Sequence, residues 1–305
     1  MSQPEQVIPT ETQFLQSNGL RIAYESFGSV ERPTIVLVAG LYNQLVRWPL
    51  AFCQLLVEQG FRVIRFDNRD IGLSDKMDGV KAPSFFRLLL KTRLGIPVSA
   101  PYNLDDMAAD TVGILDALNI PAAHFVGMSM GGMISQIVAG RYPDRVLSLT
   151  SIMSTSGVRG KGEPSMKVRL KMVQPGSKDK TPLDIAVDIW KMLDSPAWPM
   201  DEDEIRALVI AEHQRSSNPP GYLRQIAAIQ TTPNRVALLR SIKVPTLVIH
   251  GNQDVLVPVS GGIDTANHIP GAELVRYEGM GHTLPRALLG EFAQLIARNS
   301  HKKLA

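Results

Sequence analysis

Short apolar runs along the chain predict strands that are buried on both faces. The clearest run is Thr34–Val38, in which β-branched residues dominate and polar residues do not alternate with apolar ones. Two half-apolar runs between Thr12 and Phe27 meet at Asn18-Gly19, a pair typical of a hairpin turn. Further strands are predicted at Arg62–Phe66, Ala123–Val126, Val146–Met153, Thr246–Ile249 and Leu274–Tyr277.

Amphipathic stretches between these runs predict helices, so strands and helices alternate. The predicted helices are Ala51–Gln59, Leu104–Leu118, Gly131–Arg141, Ile263–His268 and Leu284–Arg298, the last with Pro285 in its first turn. Strands that alternate with helices are joined by right-handed crossovers. We therefore expect an α/β protein with a mostly parallel, doubly wound sheet.

Two segments interrupt the alternation. Residues 78–102 include a basic amphipathic piece that begins at Phe85-Phe86, which predicts an additional insertion, either a lid element or a contact with a membrane surface. Residues 154–234 contain eight prolines, several helical patterns and no strong strand. The expected organisation is a core of residues 1–153 and 235–305, with 154–234 inserted as a helical cap.

Composition and charge exclude several other classes of protein. The 305 residues are 44% hydrophobic, as in a globular protein. A net charge of +3 is too small to indicate a basic surface that binds nucleic acid. Cys53 is the only cysteine, so no intrachain disulfide forms and a reducing compartment is expected. The first residues lack signal-peptide features, and no apolar run approaches the roughly 20 residues that span a bilayer. We expect a cytoplasmic protein without stable membrane insertion; the oligomeric state is not indicated.

The segment Gly127-Met128-Ser129-Met130-Gly131 carries the candidate nucleophile. It matches G-x-S-x-G between a predicted strand and a predicted helix, the context in which this motif forms a nucleophile elbow. The tight turn leaves no room for side chains beside the serine, which explains the glycines. The spacing differs from G-x-G-x-x-G and the P-loop lysine is absent, which argues against a phosphate-binding turn. Ser129 is therefore predicted to be a nucleophile at a helix N-terminus.

A serine nucleophile needs a histidine base and an acid that orients the base. In α/β-hydrolases the chain order is serine, acid, histidine. Asp254 comes just after a predicted strand, and His282 lies in a glycine-rich loop after the last strand. Both positions are at the carboxyl edge of the sheet, where open α/β sheets place their sites. Asp254 and His282 are therefore the predicted partners of Ser129.

Other candidates suit these roles less well. Asp264 lies inside a predicted helix, and Ser154-Thr155-Ser156 offers no carboxylate after the strand at 146–153. His250 is expected to shape the loop near Asp254, and His124 is expected to cap or pack. The remaining histidines, expected to be solvated, are His213, His268 and His301. No two histidines have metal-ligand spacing with a carboxylate, so a metal site is not expected. No cofactor is expected either.

Acyl transfer also needs two backbone N–H donors for the oxyanion. One is expected from Met130, the residue after the nucleophile, and the other from the loop after the first buried parallel strand. Gly40 allows a sharp turn in that loop, and the amide of Leu41 is the favoured second donor.

Three motifs show a resemblance to a known family. They are Val63-Ile-Arg-Phe-Asp-Asn-Arg-Asp-Ile-Gly-Leu-Ser74, the Gly127–Gly131 elbow and Gly279-Met-Gly-His-Thr-Leu-Pro285. The chain resembles the α/β-hydrolase superfamily over nearly its whole length and looks most like aclacinomycin methylesterase-like carboxylesterases. The resemblance implies a triad of Ser129, Asp254 and His282, with Leu41 and Met130 at the oxyanion hole. Leu41 stands where that family has a second glycine, which predicts a more apolar pocket rim.

The expected function is cleavage of a small-molecule carboxylic ester without a cofactor. Apolar residues near the site favour a fairly apolar ester; they are Leu41, Met128, Met130, Leu284 and Phe85-Phe86. Lactonase, thioesterase and carbon–carbon bond hydrolase activities use the same triad and stay open. A ligand-binding protein of this fold with little turnover is the alternative from another class. The methylesterase substrate is not implied, because residues 78–102 and much of the 154–234 cap, which normally selects the substrate, do not match the family.

Overall fold

One eight-stranded sheet runs through the computed structural model, which describes residues 11–82, 84, 99–173 and 180–302. The strands are β1 (Gln13–Ser17), β2 (Leu20–Phe27), β3 (Thr34–Val38), β4 (Arg62–Phe66), β5 (Ala123–Met128), β6 (Val146–Ile152), β7 (Thr246–Gly251) and β8 (Glu273–Tyr277). Their order is β1-β2-β4-β3-β5-β6-β7-β8. β1 and β2 form the antiparallel hairpin, β2 is antiparallel to β4, and the remaining neighbours pair in parallel. The mostly parallel sheet is confirmed.

Helices in the described residues separate most of the parallel strands along the chain. They are α1 (Leu50–Glu58), α2 (Leu104–Ala117), α3 (Met130–Arg141), α4 (Met166–Val173), α5 (Pro182–Leu193), α6 (Glu202–Arg215), α7 (Pro219–Thr231), α8 (Val236–Ser241), α9 (Ser260–His268) and α10 (Leu289–Ser300). The predicted helix start at Leu284 is wrong. Pro285 is extended (φ −62°, ψ 132°) and precedes a short 3₁₀ helix at Arg286–Leu288, so the α-helix begins only at Leu289.

Apolar helices cover both faces of the sheet, which explains why its central strands lack alternation. In β3, Val36 and Val38 belong to the core shared with α2, α3 and α8. Ile35 and Leu37 belong to the opposite core, which contains side chains of α1 and α10. All four side chains are fully buried. An apolar residue is therefore needed at each of these four positions.

The sheet changes its winding direction beside β3. From β3 the chain continues to β4 on one side, and it later returns to β5 on the other side of β3. Ligands of doubly wound sheets bind where loops separate at such a switch point. The loops after β3 and β5 carry Leu41 and Ser129, so two predicted site residues lie there.

Five of the described helices, α4 to α8, lie between β6 and β7 in the chain, and the first four of these, α4 to α7, belong to residues 154–234. The described part of residues 154–234 forms no strand. The boundaries of a separate cap domain stay a prediction, and the predicted insertion at 78–102 lies largely outside the described residues. None of the described helices is both long and apolar enough to cross a bilayer.

A buried ion pair joins α7 to the loop after β4. Arg224 donates to both carboxylate oxygens of Asp70, at 2.7 Å each, and the Tyr102 hydroxyl donates to the same carboxylate at 2.8 Å. The Arg224 and Asp70 side chains are 3% and 0% exposed. Burial alone would raise the pKa of Asp70, but hydrogen bonds from Arg224, the Met77 amide and Tyr102 lower it below its ordinary value. Asp70 is therefore a buried charge that depends on its partners.

We expect Arg224→Met to lower the free energy of unfolding by about 3–5 kcal/mol, because the Asp70 charge would stay buried without its partner. Arg206→Met is the matched control, since Arg206 on α6 pairs with Asp184 and Glu202 at sites where about a third or more of each side chain is exposed. It should leave the free energy of unfolding nearly unchanged, because exposed ion pairs contribute little. Urea unfolding of the two variants and of the wild type measures these free energies. An equally small change in both variants would contradict the prediction that the buried pair stabilises the fold.

Candidate active site

Ser129 occupies a strained turn between β5 and α3. Its φ of 54° and ψ of −121° are unusual for a residue with a side chain. A Cβ atom on Gly127 would lie 2.2 Å from the Gly131 carbonyl oxygen, and one on Gly131 would lie 2.0 Å from the Val38 oxygen. Both glycines of the motif are therefore required by the close packing of α3 against the sheet.

Asp254, His282 and Ser129 form a row of hydrogen-bonded side chains. His282 Nε2 lies 3.0 Å from Ser129 Oγ, and His282 Nδ1 lies 2.7 Å from Asp254 Oδ2. The other carboxylate oxygen, Oδ1, accepts from the amides of Leu256 and Val257 at 2.9 and 2.8 Å. The fixed carboxylate favours a proton on Nδ1 and leaves Nε2 to accept the serine proton. The structure thus brings together the three residues that the sequence predicts.

His250 supports the turn that carries Asp254. Its Nε2 donates to the Val257 carbonyl at 2.7 Å and lies 3.6 Å from Asp254 Oδ2. Burial lowers the pKa of His250, so its ring is neutral near pH 7. His124 is likewise buried, 2.9 Å from the Ser148 hydroxyl, and burial lowers its pKa to about 4. These contacts agree with structural roles for both histidines.

The remaining candidates lie apart from this row of side chains. Asp264 lies in α9 and accepts a hydrogen bond from the Ser156 hydroxyl. His268, expected to be solvated, is instead partly buried, with Nδ1 2.8 Å from the Asp264 carbonyl oxygen. His213 and His301 are exposed. Within the described ranges, no group of three or more His, Cys, Asp or Glu side chains is arranged to hold a metal ion.

The loop after β3 lies directly against the nucleophile. A Cβ atom on Gly40 would lie 3.2 Å from Ser129 Cβ, so the backbone that leads into Leu41 passes beside the serine. The amide of Met130 is at the first position of α3, where N–H groups have no partner within the helix. Asn68 donates to the Ala39 carbonyl at 3.1 Å and supports the loop. Both predicted oxyanion donors therefore belong to backbone adjacent to Ser129.

The histidine loop, residues 279–283, is attached to the end of α5. The His282 amide donates to the Leu193 carbonyl at 2.7 Å, and the Gly281 amide donates to the Ser195 hydroxyl at 3.0 Å. Ser195 is fully buried. The position of the base therefore depends on residues of the 154–234 segment.

Sequence reasoning did not identify Asn68 or Ser195 as supports of the site. Asn68 lies within the Val63–Ser74 motif, so the motif could have marked it as a candidate site residue. Ser195 has no local signal, because its contact with Gly281 joins positions 86 residues apart.

Comparisons with known proteins agree with this architecture. Residues 33–187 match the family model of the α/β-hydrolase fold. The chain is 30% identical to rhodomycin D methylesterase DnrP of Streptomyces peucetius, over 95% of this chain and 98% of that protein. It is 26% identical to 3-oxoadipate enol-lactonase 2 of Acinetobacter baylyi, over 84% of each chain.

A solved structure shows the same fold. The enol-lactonase from Burkholderia xenovorans LB400 matches with a TM-score of 0.73 and 22% identity, over 95% of this chain and all of that one. The fold and the resemblance to methylesterase-like carboxylesterases that the motifs indicated are confirmed. The chain belongs to the α/β-hydrolase-fold family.

Proposed function

We propose that this chain is a serine hydrolase that cleaves a small-molecule carboxylic ester through an acyl-enzyme, without a cofactor. The observation that carries the proposal is the hydrogen-bonded row of Asp254, His282 and Ser129, with distances of 2.7 and 3.0 Å. The likeness to a methylesterase over nearly the whole chain supports the same chemistry.

In the proposed reaction, His282 takes the proton of Ser129 as Oγ attacks the ester carbonyl carbon. The carbonyl oxygen becomes an oxyanion, which the amides of Leu41 and Met130 stabilise; one such donor contributes roughly 3 kcal/mol in related chemistry. His282 then gives the proton to the leaving alcohol, and a water molecule activated by the same histidine hydrolyses the acyl-enzyme. Asp254 orients the imidazole and stabilises its protonated form throughout.

The proposed substrate is a fairly apolar ester. Leu41 follows Gly40 in the loop after β3, and Leu284 lies two residues after His282. Both leucines are partly buried, in accord with this preference. Met128 and Met130, which were expected to contribute, instead belong to the two buried cores, and Phe85-Phe86 lies outside the described residues. Hydrolysis rates for p-nitrophenyl esters of increasing acyl length measure the preference.

Residues 154–234 are proposed to act as the cap over the site, between the core parts 1–153 and 235–305. Hydrogen bonds from this segment to the histidine loop and to the loop after β3 support the assignment. The cytoplasm is the proposed location, supported by a single, buried cysteine, Cys53, whose pKa burial raises to about 12.

A lactonase is the second candidate, favoured by the 26% identity to 3-oxoadipate enol-lactonase 2. The same serine and histidine would open a cyclic ester, and they equally serve a thioesterase or a carbon–carbon bond hydrolase. Rates on methyl esters, lactones, thioesters and vinylogous diketones separate these activities. A ligand-binding protein of the same fold would turn over none of them.

We expect a fluorophosphonate probe to label the protein at Ser129 with one adduct per chain, because the neighbouring His282 makes this hydroxyl nucleophilic. Peptide mapping by mass spectrometry locates the adduct. The variant His282→Ala is the control and should label far more slowly, since its serine has lost the base. Absence of labelling in the folded wild type, together with no ester turnover, would contradict the proposed function.

A further inference from the structure

The loop that carries the Leu41 amide has an unusual backbone conformation. Tyr42, the next residue, has a φ of 59°, in the left-handed region that favours glycine. The Asn43 amide donates to the Gly40 carbonyl at 3.2 Å and closes a tight turn around Leu41. A tyrosine keeps such a conformation only where surrounding contacts stabilise it.

One of these contacts comes from Gln225, on α7. Its Oε1 accepts a hydrogen bond from the Tyr42 amide at 2.9 Å, and its Nε2 donates to the Arg69 carbonyl at 2.9 Å. Gln225 is fully buried. Because Nε2 donates its hydrogen bond to the Arg69 carbonyl oxygen, Oε1 must face the loop after β3. The orientation of the amide is therefore fixed by both partners.

The approach of α7 to the loop after β4, which carries Arg69 and Asp70, is also specified. A Cβ atom on Gly221 would lie 2.3 Å from the Asp70 carbonyl oxygen, so the helix needs glycine to come this close. The Asn218 side chain donates to the same carbonyl at 2.9 Å. Gly221 and Gln225 are four residues apart and so lie on one face of the helix, and Asn218 is the residue that precedes its first turn.

We propose that Gln225 is a positioning residue for the oxyanion hole. By accepting the Tyr42 N–H, it stabilises the left-handed residue that follows Leu41 and so keeps the Leu41 N–H directed toward the oxyanion. The inference rests on the proposed function, because it takes Leu41 as an oxyanion donor. It gives the 154–234 segment a part in transition-state stabilisation besides covering the site.

Loss of Gln225 would leave the Tyr42 amide without its acceptor and the left-handed conformation without that support. The Gly40–Leu41 peptide can then rotate, and a donor displaced by about 1 Å loses much of its effect on the rate. The oxyanion exists only in the transition state and in tetrahedral adducts. Substrate affinity in the ground state should therefore change little.

The test compares Gln225→Met with Asn218→Ala in the full-length protein. Gln225 donates to the Arg69 carbonyl, and Asn218 donates to the carbonyl of the next residue, Asp70, so each variant removes one such hydrogen bond. Only Gln225 also accepts a hydrogen bond from the Tyr42 amide. Gln225→Met should lower kcat for a p-nitrophenyl ester by roughly 10- to 100-fold with little change in KM. The affinity of an aryl boronic acid, which forms a tetrahedral adduct with Ser129, should fall by a similar factor. Asn218→Ala should keep both quantities close to those of wild type.

The proposal is overturned if Gln225→Met matches Asn218→Ala in kcat and in boronic acid affinity, or if it raises KM alone. Should Gln225→Met fail to fold, Gln225→Asn decides by the same comparison, because its shorter side chain withdraws the acceptor from Tyr42. A wild type that neither hydrolyses esters nor reacts with the fluorophosphonate overturns the proposed function itself. An active wild type with a normal Gln225 variant overturns only the positioning role.

Discussion

The variant Ser129→Ala should lower kcat for an aryl ester by about 10⁶-fold, with KM little changed. Alanine removes the hydroxyl that lies 3.0 Å from His282 Nε2, so no acyl-enzyme can form. The remaining rate would come from the oxyanion donors and from substrate binding, which together give roughly 10³- to 10⁴-fold over water. Initial rates of p-nitrophenolate release, measured at saturating substrate, give the ratio directly.

Ser135→Ala is a suitable control for this loss. Ser135 is a buried serine of α3, and its hydroxyl has no hydrogen-bond partner in the part of the chain that the structure describes. Its removal should leave both kcat and the melting temperature near those of wild type. If Ser129→Ala kept more than about a tenth of wild-type kcat, well above the loss expected for a nucleophile, then Ser129 would not be the nucleophile.

The strands were the part of the fold most accessible from the sequence. Both faces of β3 are covered, so burial requires an apolar run there, and the predicted bounds 34–38 are those of the strand. The start of α10 was less accessible, because proline suits both the first turn of a helix and an extended segment before one. The chain adopts the second arrangement at Pro285.

The reacting groups and their supports also differ in how far the sequence reveals them. Ser129 lies in a turn whose glycines are dictated by local packing, so a five-residue motif identifies it. Asp254 and His282 follow strands, and their position at the carboxyl edge follows from the alternation of elements. Gln225, on α7, and Ser195, two residues after the end of α5, reach the site only because these parts of the chain dock onto distant loops, as the 183-residue separation of Gln225 from Tyr42 illustrates. No local pattern marks such a contact.

We expect Asp254→Asn to lower kcat by about 10⁴-fold while the protein stays folded. Oδ1 of Asp254 accepts from the amides of Leu256 and Val257, so the new asparagine should keep its carbonyl oxygen at that position. Its NH₂ group then faces His282 Nδ1 in place of Oδ2. The histidine must accept this hydrogen bond at Nδ1 and carry its proton on Nε2, where it can no longer take the proton of Ser129.

Asp264→Asn provides the matched control, because Asp264 is the other carboxylate considered as the acid and it also accepts a side-chain hydrogen bond. It should leave kcat nearly unchanged. Since Asp254 acts on the tautomer of His282 and not on the substrate, KM should be similar in both variants. Steady-state kinetics of the pair test the argument, and a large loss of kcat in Asp264→Asn with normal activity in Asp254→Asn would reverse the assignment of the acid. The loss of kcat in Asp254→Asn therefore depends on the amides of Leu256 and Val257. Because they hold one oxygen of residue 254 in place, they determine which group faces His282 Nδ1 and so which nitrogen of the histidine can act as the base.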